Sequence, residues 1–152
     1  MVSGVTSLVR PRLAVLGRIR RRTPVVAGAP AGRHLVYAPQ PDGQADPGEI
    51  VWTWVAYEDD PAQGKDRPVL VVGRSGTVLF GLMLSSQRER HGQRHWFALG
   101  PGTWDRDGRP SWVRLDRVLD LAEDGIRREG AVLDRRRFEA VARTLRNRYG
   151  WE

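Results

Sequence analysis

The sequence predicts a mainly β domain with a C-terminal helix, an α+β arrangement in which a compact barrel of about five strands carries the helix against it. Three observations predict this. Short β-branched and aromatic runs alternate with Gly-, Pro- and Asp-rich turns through the middle of the chain. A single helical periodicity is confined to the end. The chain is also long enough for a core: of its 152 residues 40% are hydrophobic and 28% charged, and a chain of that size removes roughly two-thirds of its unfolded surface from water.

The elements run in order. In Val2–Arg22, apolar Leu13, Leu16 and Ile19 sit among arginines, which predicts a short basic helix. The segment reads as a mobile tail or as an arm that touches phosphates. Its charges follow and interrupt the apolar residues, unlike a secretory signal. Thr23–Gly32, the longest uncharged stretch near the front, holds Pro24 and Pro30 and is far shorter than the ~20 apolar residues of a membrane span. Leu35–Tyr37 reads as a short strand or docking segment, and Pro39–Gly48 as a linker. This divides the chain into a basic, Pro/Gly-rich extension over 1–45 and a domain over 46–152.

Glu49–Tyr57 predicts the first strand, with Val51, Thr53, Val55 and Tyr57 on one face and Trp52 and Trp54 on the other. Arg67–Val72 is the second; its unbroken apolar run implies burial on both faces. Arg74–Gly76 is a tight turn into a third strand, Thr77–Ser85. Ser86–Arg94 is a charged loop, His95–Leu99 a fourth strand, and Gly100–Pro110 a Gly/Asp loop. Ser111–Leu121 is a fifth strand with a bend at Asp116. Asp134 then caps a helix in which Phe138, Val141, Ala142, Leu145 and Tyr149 recur on one face, Arg135, Arg136, Arg143 and Arg146 lie opposite, and Gly150 ends it.

Composition excludes several chemistries. There is no cysteine, so disulfides, thiolate metal sites and cysteine nucleophiles are out. The net charge is +7, from 25 basic and 18 acidic residues, and every basic residue except Lys65 is arginine. Arginine has GC-rich codons, so its abundance alone argues weakly for a nucleic-acid partner. Residues 1–46 hold seven arginines against Asp42 and Asp46, which concentrates the excess in the front third. His91 and His95 have helical metal-ligand spacing, but a Gly-Gln-Arg loop separates them and no third ligand accompanies them. Asp105–Gly108 opens like a calcium loop and lacks its later acceptors, so it reads as an Asp/Gly turn. No phosphate-binding glycine loop or nucleophile elbow occurs. The tryptophans on strands read first as core.

One constellation remains. Gly64-Lys65-Asp66-Arg67-Pro68 stands at the entry to the second strand and Ser85-Ser86-Gln87 at the exit of the third. A hairpin around Arg74–Gly76 sets entry beside exit, gathering a guanidinium, an ammonium, two hydroxyls and an amide on one sheet edge. Cations for charge and donors for oxygens make a phosphate cradle. Taken singly, such an arginine pairs with a neighbouring acid, here Asp66, and a Ser-Ser-Gln is a turn.

These segments, with Pro47–Trp52, Val69–Val72, Leu84 and Val113–Val118, resemble the PemK/MazF family of toxin endoribonucleases over about residues 46–148, in an actinobacterial-type version with an arginine-rich extension. The resemblance implies an SH3-like barrel, a homodimer and cytoplasmic, bacterial action. It implies cofactor-free, metal-independent cleavage of single-stranded RNA by 2′-hydroxyl attack, held in check by an acidic antitoxin. It also implies that Arg67 and Ser85 are catalytic, with Ser86 as the near alternative, and that Gly64, Lys65, Ser86 and Gln87 contact RNA. Serine stands where the family typically has threonine, whose rotamer is more constrained. The competing expectation is a non-catalytic barrel that binds an antitoxin, DNA or another protein.

Overall fold

A computed structural model describes residues 26–28, 33–40 and 44–152. The expected helix around Leu13–Ile19 lies outside these residues. The strands are β1 (Val26–Gly28), β2 (Glu49–Ala56), β3 (Gly64–Ser75), β4 (Val78–Ser85), β5 (Trp96–Gly100), β6 (Ser111–Arg114), β7 (Val118–Ala122) and β8 (Ile126–Val132), followed by helix α1 (Arg135–Tyr149). Among the described residues no helix is long and apolar enough to cross a membrane.

The mainly β architecture with a terminal helix agrees with the expectation. All strand pairs are antiparallel, in the order β1-β7-β4-β3-β2-β8, with β6 bonded to β4 and β5. Among the described residues the hydrogen-bonded path has two ends, β1 and β8, and the ladder is not closed. Strand β4 organises the sheet: β3 runs along one edge, while β7 takes Val78–Gly81 and β6 takes Leu84–Ser85 on the other.

The apolar run of β3 behaves as its composition demands. Leu70 and Val72 join a core with the helix residues Phe138, Val141, Ala142 and Leu145, whereas Val69 and Val71 face a second core with Val51, Val55, Leu79 and Leu121. All four β3 residues are essentially inaccessible, and burial of each such side chain stabilises by ~1.5–3 kcal/mol. Strand β2 alternates as expected, with Val51, Thr53 and Val55 buried and Trp52 and Trp54 half-buried.

Three elements differ from expectation. The single strand expected over Ser111–Leu121 is two, because Leu115–Arg117 leaves the ladder as the chain passes from one half of β4's edge to the other. Strand β8 carries Arg127, Arg128, Glu129 and Gly130, a composition that conceals a strand; among the described residues it pairs with β2 alone, and an edge strand tolerates charge. Strand β1 lies in the stretch read as extension and pairs with β7. The segment from Arg33 is also attached to the sheet. Arg33 pairs with Asp120 at 2.7 Å, Val36 N donates to Val72 O, Leu35 is buried, and the Tyr37 hydroxyl donates to Leu133 O.

The β3–β4 hairpin forms around the expected turn, with one irregularity. Ser75 pairs with Val78, Arg74 with Leu79 and Gly73 with Phe80, but Val71 pairs with Gly81. Val72 is therefore an extra residue, a β-bulge. Beyond it the register is shifted by one.

Candidate active site

Strand geometry builds the site. The β2–β3 ladder pairs Thr53 with Arg67 and Val55 with Lys65, so period-2 alternation places Arg67 and Lys65 on one face of the strand. Past the bulge Val69 pairs with Met83, and the same register carried on sets Ser85 opposite Arg67. Without the bulge, Ser86 would stand there. Arg67, Ser85, Lys65, Ser86 and Gln87 all line one pocket of about 250 Å³, so the strand entry and exit do converge. Gly64 does not line it. It pairs with Ala56, and a Cβ there would collide with the Val55 carbonyl and the Trp54 ring. That gives the glycine a backbone reason.

Ser85 is only 5% exposed, and its Oγ accepts a hydrogen bond from Gln87 N at 3.2 Å. Arg67 is half-buried. Among the described residues it has no hydrogen-bond or ion-pair partner. Burial pulls its guanidinium below the ordinary value, Tyr57 opposes the fall, and the positive charges of Arg90 and Arg117 add to it. The alternative pairing with Asp66 does not form: Asp66 also lines the smaller pocket, but its carboxylate meets Arg127 at 3.3 Å.

The far wall comes from the loop before β6. Its Asp105–Gly108 segment is the expected Asp/Gly turn: Asp105 Oδ1 accepts from Asp107 N at 2.9 Å, and Gly108 N donates to Asp105 O. Asp105 Oδ2 also accepts from Arg109 Nε at 3.0 Å. Trp52 Nε1 donates to Trp104 O, and Trp104 Nε1 to Ser111 Oγ, which ties this wall to β2 and β6.

Arg67 also lines a larger cleft of about 640 Å³, with Tyr57, Glu58, Arg90, Trp96, Arg114, Asp116 and Arg117. Sequence reasoning passed over these groups, because arginine is too common in this chain for any one to stand out. Arg114 is gripped by carboxylates: it donates to Asp116 at 2.7 Å and to Glu58 at 2.9 Å. The bond to Asp116 pushes its guanidinium up. The Arg114 hydrogen bond holds Glu58 below the usual carboxylate range. Burial alone would raise Asp116, but the Arg114 contact holds it down too.

His95 borders the larger cleft, whereas His91 lines neither cavity. His95 Nδ1 is 2.8 Å from the Tyr149 hydroxyl, and His91 packs edge-on against Trp112. Trp104, Trp112 and Trp151 are core residues, whereas Trp96 borders the larger cleft.

A family model described as "PemK-like, MazF-like toxin of type II toxin-antitoxin system" matches residues 46–148. No curated protein matches the chain.

Proposed function

The chain belongs to the PemK-like, MazF-like toxins of type II toxin–antitoxin systems, and from that premise we propose that it is an endoribonuclease that cleaves single-stranded RNA without metal. The observation that carries this reading is the register that sets Ser85 opposite a partnerless Arg67 around one pocket. In the reaction the 2′-oxygen bonds to phosphorus and gives up its proton to water as the bond to the 5′-oxygen breaks, and that oxygen takes a proton from water, leaving a cyclic phosphate and a 5′-hydroxyl. Negative charge builds on the phosphoryl oxygens. Arg67 meets that charge with a planar fork of donors in a partly desolvated site. The Ser85 hydroxyl, its lone pair engaged by Gln87 N, offers its proton to the same phosphate. A guanidinium holds its proton near neutrality, so Arg67 is a stabiliser of charge and not the base. Lys65 and Gln87 at the pocket rim contact the strand.

An SH3-like barrel, a homodimer and an acidic antitoxin belong to the same reading. Antitoxin carboxylates would compete with RNA for Lys65 and Arg67. The test is incubation with a long single-stranded RNA in EDTA, cut ends being mapped by primer extension. We expect discrete cuts, lost by about 10²-fold or more in Arg67→Ala. Intact RNA with both proteins, or equal cutting by both, would overturn the reading, and the former would point to a non-catalytic binding module.

A further inference from the structure

The larger cleft holds more positive charge than its acids can use. Arg114 engages both Glu58 and Asp116, which leaves Asp59, at the exposed rim, as the remaining acid. Arg67, Arg90 and Arg117 form no ion pair among the described residues, although Glu58 and Asp116 lie near enough to Arg117 to favour its charge.

Two of them, Arg117 and Arg90, are held in place by other means. Arg117 is only 9% exposed. Its guanidinium reaches the Met83 sulfur at 3.8 Å and Ala56 O at 3.4 Å, both long contacts, and its buried Nε has no partner among the described residues. The Arg90 guanidinium lies 4.5 Å from the centre of the Trp96 ring, and its Nε is buried and equally unpartnered. Like charges held together in a cleft repel, and a buried guanidinium without an acceptor is costly. An anion seated between the guanidinium ends relieves their repulsion. A phosphate suits this best, since it offers several acceptor oxygens to several forks at once.

We infer that the larger cleft is a second anion subsite, in which Arg90 and Arg117, beside Arg67, hold the phosphate next to the scissile one on a bound RNA strand. The inference rests on the RNA reading above, and the position follows from Arg67, the residue the two cavities share. Arg114 has a different part. By occupying Glu58 and Asp116 it keeps those carboxylates off the neighbouring arginines.

The experiment is a titration of a fluorescent 2′-O-methyl RNA oligonucleotide, which cannot undergo 2′-hydroxyl attack, over a range of salt. It compares the parent protein with Arg90→Gln, Arg117→Gln and Glu58→Gln, each first checked for folding by thermal melting. We expect Arg90→Gln and Arg117→Gln each to weaken binding about tenfold at low salt. Each should also flatten the slope of log K against log salt by about 0.7, the share of one single-strand phosphate contact. Glu58→Gln should tighten binding about two- to fivefold by removing an anion from the cleft. If buried Arg117→Gln does not fold, the exposed Glu58 and the surface turn bearing Arg90 still decide the matter. A parent protein that binds while the variants keep its affinity and slope would overturn the subsite alone. A parent protein that does not bind the oligonucleotide would overturn the RNA reading and the subsite with it.

Discussion

Ser85 and Ser86 are chemically the same residue in neighbouring places, and the backbone separates their roles. Ser85 is buried and takes a hydrogen bond from Gln87 N; Ser86 is half-buried at the pocket's edge. Ser85→Ala should therefore lower RNA-cleaving kcat by about 10²-fold. Ser85→Thr, which keeps the hydroxyl on a stiffer χ1, should stay within a few-fold of the parent, as should Ser86→Ala. Steady-state cleavage of one oligonucleotide substrate checks all three, and equal losses at both serines would contradict the assignment. That Arg67 and the Ser-Ser-Gln triplet converge was legible in the sequence, because the hairpin expected around Arg74–Gly76 sets the entry of one strand beside the exit of the next. Arg90, Arg114 and Arg117 were not. What distinguishes them is burial and the identity of their partners, and one arginine among many gives no sign of either.

At the scale of elements, α1 was the most legible part of the chain, since cap, periodic face and terminal glycine all agree. Asp134 accepts from Arg137 N at 3.0 Å and from Arg137 Nε at 2.6 Å, and Gly150 takes the left-handed conformation at φ 75°. Arg137 in turn donates to Leu99 O and Pro101 O, so the cap also fastens the helix to the end of β5. Asp134→Ala should cost about 1 kcal/mol in urea unfolding at neutral pH, and Asp134→Asn less. The Arg137 contacts hold the Asp134 carboxyl below its ordinary value. A depressed folded-state pKa gives stability that is complete above the unfolded-state value and disappears as pH falls through the folded-state value. The charge-dependent gap between parent and Asp134→Asn should close over that acid window, and a gap unchanged there would exclude the linkage. Strand β8 was illegible for the opposite reason. Its partner β2 defines it as a strand, and its own composition does not.

Over the whole molecule, Leu35–Tyr37 read as a short strand or docking segment ahead of a linker, because Pro, Gly and Asp dominate residues 39–48. Only the assembled sheet reveals what Leu35 and Tyr37 rest on. Arg33 lies over the Phe80 ring at 4.6 Å, and the His34 carbonyl sits where a Cβ on Gly73 would be. A chain beginning at Gln44 should thus melt lower than one beginning at Arg33. The loss of Leu35 burial alone corresponds to at least about 4 °C, and identical melting temperatures would show the segment to be dispensable. The position of the front third's excess positive charge, by contrast, was plain from residue order alone.

The bulge at Val72 has a genetic consequence. A regular ladder with Val72 paired to Gly81 would leave every site residue encoded, yet it would bring Ser86 rather than Ser85 opposite Arg67, whereas loss of the Val72 codon would straighten the strand and keep Ser85 there. The identity of the facing serine thus depends on a spacer in the middle of a strand, remote from the pocket, and a change there that regularises the ladder while keeping the spacer acts on the site as surely as a substitution within it.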